Sequence, residues 1–132
     1  MTVVVDASVV VAALVDNGPD GQWADDVLLS EPLAAPHVLQ VEVASALRRA
    51  AGAGEISDDV ATLAHGDLGD LRLELYGYEN CAARVWELRD NLRAYDAWYV
   101  AVAELLDAPL ATLDLRLSRA AGPRCEFLTR TS

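Results

Sequence analysis

Thr2-Val-Val-Val-Asp6-Ala-Ser-Val-Val-Val-Ala-Ala-Leu14 holds two apolar runs divided by a single acid. Val3 to Val5 is short and β-branched, which reads as a buried strand. Asp6 then suits the cap of a helix that continues to Leu14, because its carboxylate can accept from the free N–H groups of the first turn. A chain that opens strand-then-helix with a carboxylate at the junction points to an α/β fold, with that acid at the carboxyl edge of the sheet.

The rest of the chain repeats the pattern. Asn17-Gly-Pro is a turn, and Gln22 to Leu29 reads as a second helix with Trp23, Val27 and Leu28 facing inward. Leu33 to Ala35 reads as a strand, Val38 to Ala51 as a long helix closed by Gly52 and Gly54, and Asp58 to Leu68 as another helix. Leu71 to Leu75 alternates as a strand. Glu79 to Asp90 reads as an amphipathic helix burying Ala82, Val85, Trp86 and Leu88 or Arg89. Ala94 to Leu106 is apolar nearly all round, so it belongs inside. Leu110 to Thr112, Asp114 to Ala121 and Glu126 to Leu128 close the chain as strand, helix and strand. This alternation predicts an α/β/α sandwich about a short, mostly parallel sheet, as one domain over residues 1–132.

Four acids interrupt apolar surroundings: Asp6, Glu42, Asp96 and Asp114. Asp6 and Asp114 follow strand ends, Asp96 lies in the first turn of its helix, and Glu42 about one turn into its own. In an open parallel sheet that edge is where ligands bind. Glu42 falls between Val38 and Ala46 on an apolar helix face, which turns its charge toward the protein. Two ionised carboxylates about 5 Å apart repel by roughly 3 kcal/mol at an effective dielectric near 20, so a gathered cluster requires a cation or retained protons. Each acid also has a plain reading. Asp6 and Asp114 are good caps, Asp96 favours a helix dipole, and Glu42 could pair with Arg49.

Composition narrows the chemistry. The chain has 132 residues, 53% of them hydrophobic, enough for one substantial core. All ten basic residues are arginine, which excludes a Walker-type phosphate loop, Schiff-base catalysis and Ser-Lys hydrolysis. Cys81 and Cys125 are too few for a stapled secreted scaffold and lack zinc-site spacing, so they read as reduced thiols. The N-terminal apolar run is short, broken by Asp6 and preceded by no basic segment, so we expect a soluble, unexported, cytoplasmic protein with no membrane span. A net charge of −11 opposes broad electrostatic binding of nucleic acid, although bound divalent ions would cancel part of it locally.

Taken in order and spacing, Val3-Val-Val-Asp6-Ala-Ser8, Glu42-Val-Ala-Ser-Ala-Leu47, Ala94-Tyr-Asp96-Ala-Trp-Tyr-Val-Ala-Val-Ala103 and Thr112-Leu-Asp114-Leu-Arg-Leu117 resemble the motifs of PIN-domain proteins, most closely the VapC toxins of type II toxin–antitoxin pairs. The resemblance spans essentially the whole chain. It implies a PIN-like α/β/α sandwich and an Mg²⁺- or Mn²⁺-dependent endoribonuclease leaving a 5′-phosphate and a 3′-hydroxyl. The family's metal-site acids fall on Asp6, Glu42, Asp96 and Asp114, with Asp6 and Asp96 expected as the first ligands. Ser8 and Thr112 match positions where the family often has a small hydroxyl residue. Leu115 departs from the basic residue of many relatives. The expected partners are an RNA substrate and an antitoxin whose basic C-terminal segment reaches the acids, in a homodimer or a hetero-oligomer.

Hard oxygen ligands suit magnesium or manganese better than zinc. Arg93, Arg116 and Arg119 are candidates to meet phosphates at the rim, against a plain reading as solvated surface. His37 and His65 lack a partner for a metal-free ribonuclease mechanism. Haloacid-dehalogenase-type phosphatases and receiver domains also place acids at strand ends, but both use a lysine this chain lacks, and the former needs an Asp where Ser8 stands. A non-catalytic PIN-like scaffold for binding protein is the alternative, and it leaves the four acids unexplained.

Overall fold

The computed structural model describes residues 1–30 and 32–131. Its centre is β1 (Val3–Val5), whose valines are all at most 3% exposed, so both faces of the strand are covered. Each fully buried valine contributes about 1.5–3 kcal/mol, which lets so short a strand hold the middle of a sheet. Asp6 ends the strand and caps α1 (Ala7–Val15), its carboxylate accepting from the Val9 N–H.

Helix α2 (Pro19–Ser30) starts three residues earlier than its apolar stripe suggests. Proline fits a first helical position, where its missing N–H would have had no partner. Gly21 is buried there because a Cβ would stand 1.8 Å from the Asp16 carbonyl oxygen, so only glycine lets α2 lie this close to the end of α1. The chain continues through β2 (Leu33–Pro36), α3 (Leu39–Gly52) and α4 (Asp58–Asp70), the last capped by Ser57 accepting from the Val60 N–H. The next strand, β3, covers Leu73–Tyr76 rather than Leu71 to Leu75, in parallel register with β2 from Leu33↔Leu73 to Pro36↔Tyr76.

The expected long helix over Glu79 to Asp90 is corrected to α5 (Ala82–Glu87), six residues flanked by turns. Before it, the Cys81 N–H closes a turn on the Tyr78 carbonyl. After it, the Leu88 N–H is shared between the Arg84 and Val85 carbonyls, and the chain passes into short-range turns. The buried stripe is Cys81, Val85 and Leu88. Trp86, expected inside, is 67% exposed, and the Arg89 guanidinium lies 4.6 Å from its ring centroid. Helix α6 (Ala94–Leu106) has the bounds read from sequence and packs on β1 and β2. Arg84 fastens α5 to it, donating to both Glu104 carboxylate oxygens at 2.7 and 3.2 Å and to the Gly122 carbonyl. β4 (Leu110–Ala111), α7 (Leu115–Ser118) and β5 (Phe127–Leu128) complete the fold.

The five strands run in the order β3-β2-β1-β4-β5, and every pair is parallel. From β1 the chain winds outward to β2 and β3, with α1 to α4 packed on one another, then returns through α5 and α6 to β4 on the other side of β1. Right-handed crossovers in opposite directions place the two helix groups on opposite faces. Connections therefore diverge between β1 and β4, and a crevice opens beyond their carboxyl ends. No helix among the described residues is long and apolar enough to cross a membrane.

Candidate active site

Asp6, at the end of β1, is 7% exposed, and Thr112, just past β4, is fully buried. The Thr112 hydroxyl donates to Asp6 Oδ2, and the Ser8 hydroxyl donates to Asp6 Oδ1 at 2.5 Å. Both hydroxyls are oriented from behind. Thr112 Oγ1 accepts from the Asp114 N–H at 2.9 Å and Ser8 Oγ from the Leu113 N–H at 3.0 Å, so each proton is directed at the carboxylate. Burial pushes the Asp6 carboxyl up to about 6, although hydrogen bonds from Ser8, Thr112 and the backbone pull it down.

Asp114 caps α7, its Oδ1 accepting from the Arg116 and Leu117 N–H groups at 3.0 and 3.3 Å. Capping leaves room for a cation at both carboxylates: of about four lone-pair positions Asp114 uses two on backbone N–H groups, and Asp6 uses three, on Ser8, Val9 and Thr112, with one left over. Asp96, in the first turn of α6, sits 3.7 Å from Arg93 Nε. Burial raises its carboxyl; Arg93 and Arg116 oppose the rise and the negative charge of Asp114 adds to it. That mutual influence puts Asp96 and Asp114 in one electrostatic neighbourhood.

Glu42 comes from the opposite helix layer. Its Oε1 accepts from the Tyr99 hydroxyl at 2.6 Å, a contact between α3 and α6. Arg49, the partner weighed for Glu42, donates instead to Ser45 Oγ. Tyr99 is 1% exposed, and burial, its hydrogen bond to Glu42 and the charges of Glu42, Asp6 and Asp96 all drive its pKa upward, so it remains a donor. Sequence reasoning missed this tyrosine. The available signal was a hydroxyl among the Ala and Val residues of this helix, a single turn after Asp96; the helix's other tyrosine, Tyr95, is exposed.

The four acids thus share one edge, but among the described residues no three His, Cys, Asp or Glu side chains form a ready-made cage. The donor set nevertheless fits a hard divalent cation: all carboxylate, two members held high by burial, and hydroxyls fixing one of them. Mg²⁺ in particular is held through one or two carboxylates while keeping several waters, so a tight protein cage is not required. Ser8, Glu42, Arg93 and Asp114 line one cleft of about 570 Å³, walled by α1 and α3. A larger cavity of about 720 Å³ opens at the opposite edge, between Val3, Glu104, Pro109 and Arg124, and contains none of the four acids. Arg116 influences Asp96, whereas Arg119, His37 and His65 lie at solvent. Cys81 and Cys125 are free thiols, both pushed up by burial, Cys125 to about 11, which makes them poor nucleophiles.

Residues 3–123 match the PIN domain. Ribonuclease VapC9 of Mycobacterium tuberculosis is 41% identical over 93% of this chain and 94% of its own length. Among solved structures, PAE2754 from Pyrobaculum aerophilum superposes with a TM-score of 0.74 at 21% identity, covering 99% of this chain and 85% of that one. A chain of DNA-bound VapBC from Salmonella typhimurium gives 0.69 at 11% identity, covering 98% of both.

Proposed function

The chain belongs to the PIN-domain family, among its VapC ribonucleases, and from that membership we infer that it is an endoribonuclease and the toxin of a toxin–antitoxin pair. The observation supporting this most strongly is that a chain 41% identical to a VapC ribonuclease over 93% of its length also directs four acids to the switch between β1 and β4.

Asp6 and Asp96 are proposed to hold a first Mg²⁺ or Mn²⁺, with Asp114 and Glu42 serving a second directly or through water. Such an ion, when bound, lowers the pKa of a coordinated water and neutralises charge at phosphorus. The residues' own tasks are separable. Ser8 and Thr112 keep the Asp6 carboxylate in one orientation through oriented hydroxyl donors. Arg93 and Arg116 flank Asp96 and supply the positive charge that a chain of net −11 otherwise denies to a phosphodiester. RNA recognition is therefore expected to be local to this rim.

The cleft also suits the proposed antitoxin. Ala7, Val11 and Val15 on α1 face it at four-residue spacing, and Glu42, Ala46 and Arg49 on α3 at spacings of four and three. An extended or helical C-terminal segment would bury apolar side chains along these rows and present a basic residue to the carboxylates. A cytoplasmic location follows from this reading, where RNA and antitoxin are both made. The test is cleavage of RNA by purified protein with Mn²⁺ or Mg²⁺ and with EDTA. Activity that stops with chelation and returns with metal is expected; cleavage unchanged by chelation removes the mechanism.

A further inference from the structure

Glu42 is the one acid of the four delivered by the α1 to α4 layer, and a glutamate has three side-chain torsions through which its carboxylate can swing. One oxygen is held by Tyr99, whose ring is fixed inside the core between the layers, 57 residues further along the chain. Oε2 has no part in that bond. A buried tyrosine hydroxyl needs some acceptor, and a backbone carbonyl would have satisfied it. Here it takes a carboxylate from across the crevice, one turn beyond Asp96 on the same helix.

We propose that Tyr99 is a positioning residue of the metal centre: its hydroxyl fixes Glu42 so that the second carboxylate oxygen faces the cation position that Glu42 serves with Asp114. The inference rests on reading those acids as a metal centre. It assigns to α6 two tasks at once, supplying Asp96 directly and orienting Glu42 from behind, so the two helix layers are tied together at the point where the ion sits. Outer partners of this kind tune metal affinity without touching the metal.

The test is calorimetric titration of Mn²⁺ into the parent chain, Tyr99→Phe, Glu42→Gln and the double variant, with thermal melts in EDTA alongside. Phenylalanine keeps the ring and removes only the hydroxyl. Tyr99→Phe is expected to weaken Mn²⁺ binding about tenfold, and to add less than about twofold once Glu42→Gln is present, because the tyrosine acts through that carboxylate. The same variant should need more Mn²⁺ for half-maximal cleavage yet recover its turnover at saturating metal. Equal weakening in both backgrounds would mean general loosening of the core and overturns the proposal, as does unchanged Mn²⁺ affinity in Tyr99→Phe. A parent chain that takes up no Mn²⁺ brings down the metal reading and the tyrosine's role with it. Normal uptake by the parent with no effect of Tyr99→Phe brings down the tyrosine's role alone.

Discussion

Asp6→Asn should make the protein more stable at neutral pH while removing its activity. Burial raises the Asp6 carboxyl to about 6, against 3.8 for the exposed aspartate of an unfolded chain. Between those values the folded state holds a proton the unfolded state has released. Above pH 6 both states are ionised, and the folded one bears the cost of a buried charge. At about 1.36 kcal/mol per tenfold in proton affinity, the gap amounts to about 3 kcal/mol of lost stability at pH 7.5. Asparagine carries no charge, so that loss disappears. Its Nδ2, however, cannot accept from the Thr112 hydroxyl, which costs about 1–2 kcal/mol. The net expectation in EDTA is a gain of about 1–2 kcal/mol at pH 7.5, or roughly 3–8 °C in Tm, shrinking to nothing or reversing near pH 4, where folded Asp6 is itself neutral. Urea unfolding of both chains at pH 4, 5.5 and 7.5 measures it, and taking the difference between them cancels the other carboxylates. A difference that stays flat across that range refutes the buried-charge argument. Millimolar Mn²⁺ should then stabilise the parent and not the variant.

Asp96→Asn and Asp114→Asn should each lower initial cleavage rates on the order of 100-fold at fixed Mn²⁺, while Asp58→Asn, on the exposed first turn of α4, should stay within about twofold. Arg84→Ala leaves Glu104, whose side chain is 17% exposed, with only the Arg124 N–H as partner and should cost about 1–3 kcal/mol in chemical denaturation; Arg84→Lys should recover only part, for want of the two-pronged geometry. Gly21→Ala drives a methyl onto the Asp16 carbonyl and should cost about 3 kcal/mol, read as a drop in Tm without change in the pH profile of the purified, folded fraction.

Elements whose signal is local were legible in the sequence. Val3–Val5 is β-branched and continuous, and Ala94–Leu106 is apolar all round, so both were placed with their observed bounds. Glu79 to Asp90 has helix-forming composition throughout, yet the segment yields only six helical residues. Its ends are taken up by turns, and its position is set by Arg84 reaching Glu104 and Gly122, neither of which periodicity reveals. The same division applies to the site. Acids just past strand ends can be read from sequence because the carboxyl edge of a parallel sheet is a general binding place. The order β3-β2-β1-β4-β5 cannot, and it is this order that brings α3 and α6 together and gives Glu42 its partner in Tyr99.

The bond between Thr112 and Asp6 joins positions 106 residues apart, and this separation has a consequence for biosynthesis. A growing chain exposes Asp6 first, but the hydroxyl that orients it is translated 106 residues later, and Asp114 just after that. β1 likewise lacks one neighbour until Leu110 and Ala111 arrive. Contacts this distant form late, because loop closure must precede them. A nascent or prematurely terminated chain therefore lacks the assembled edge at which Asp6 is held by Thr112 and neighboured by Asp114, so that edge takes shape only once β4 has joined β1.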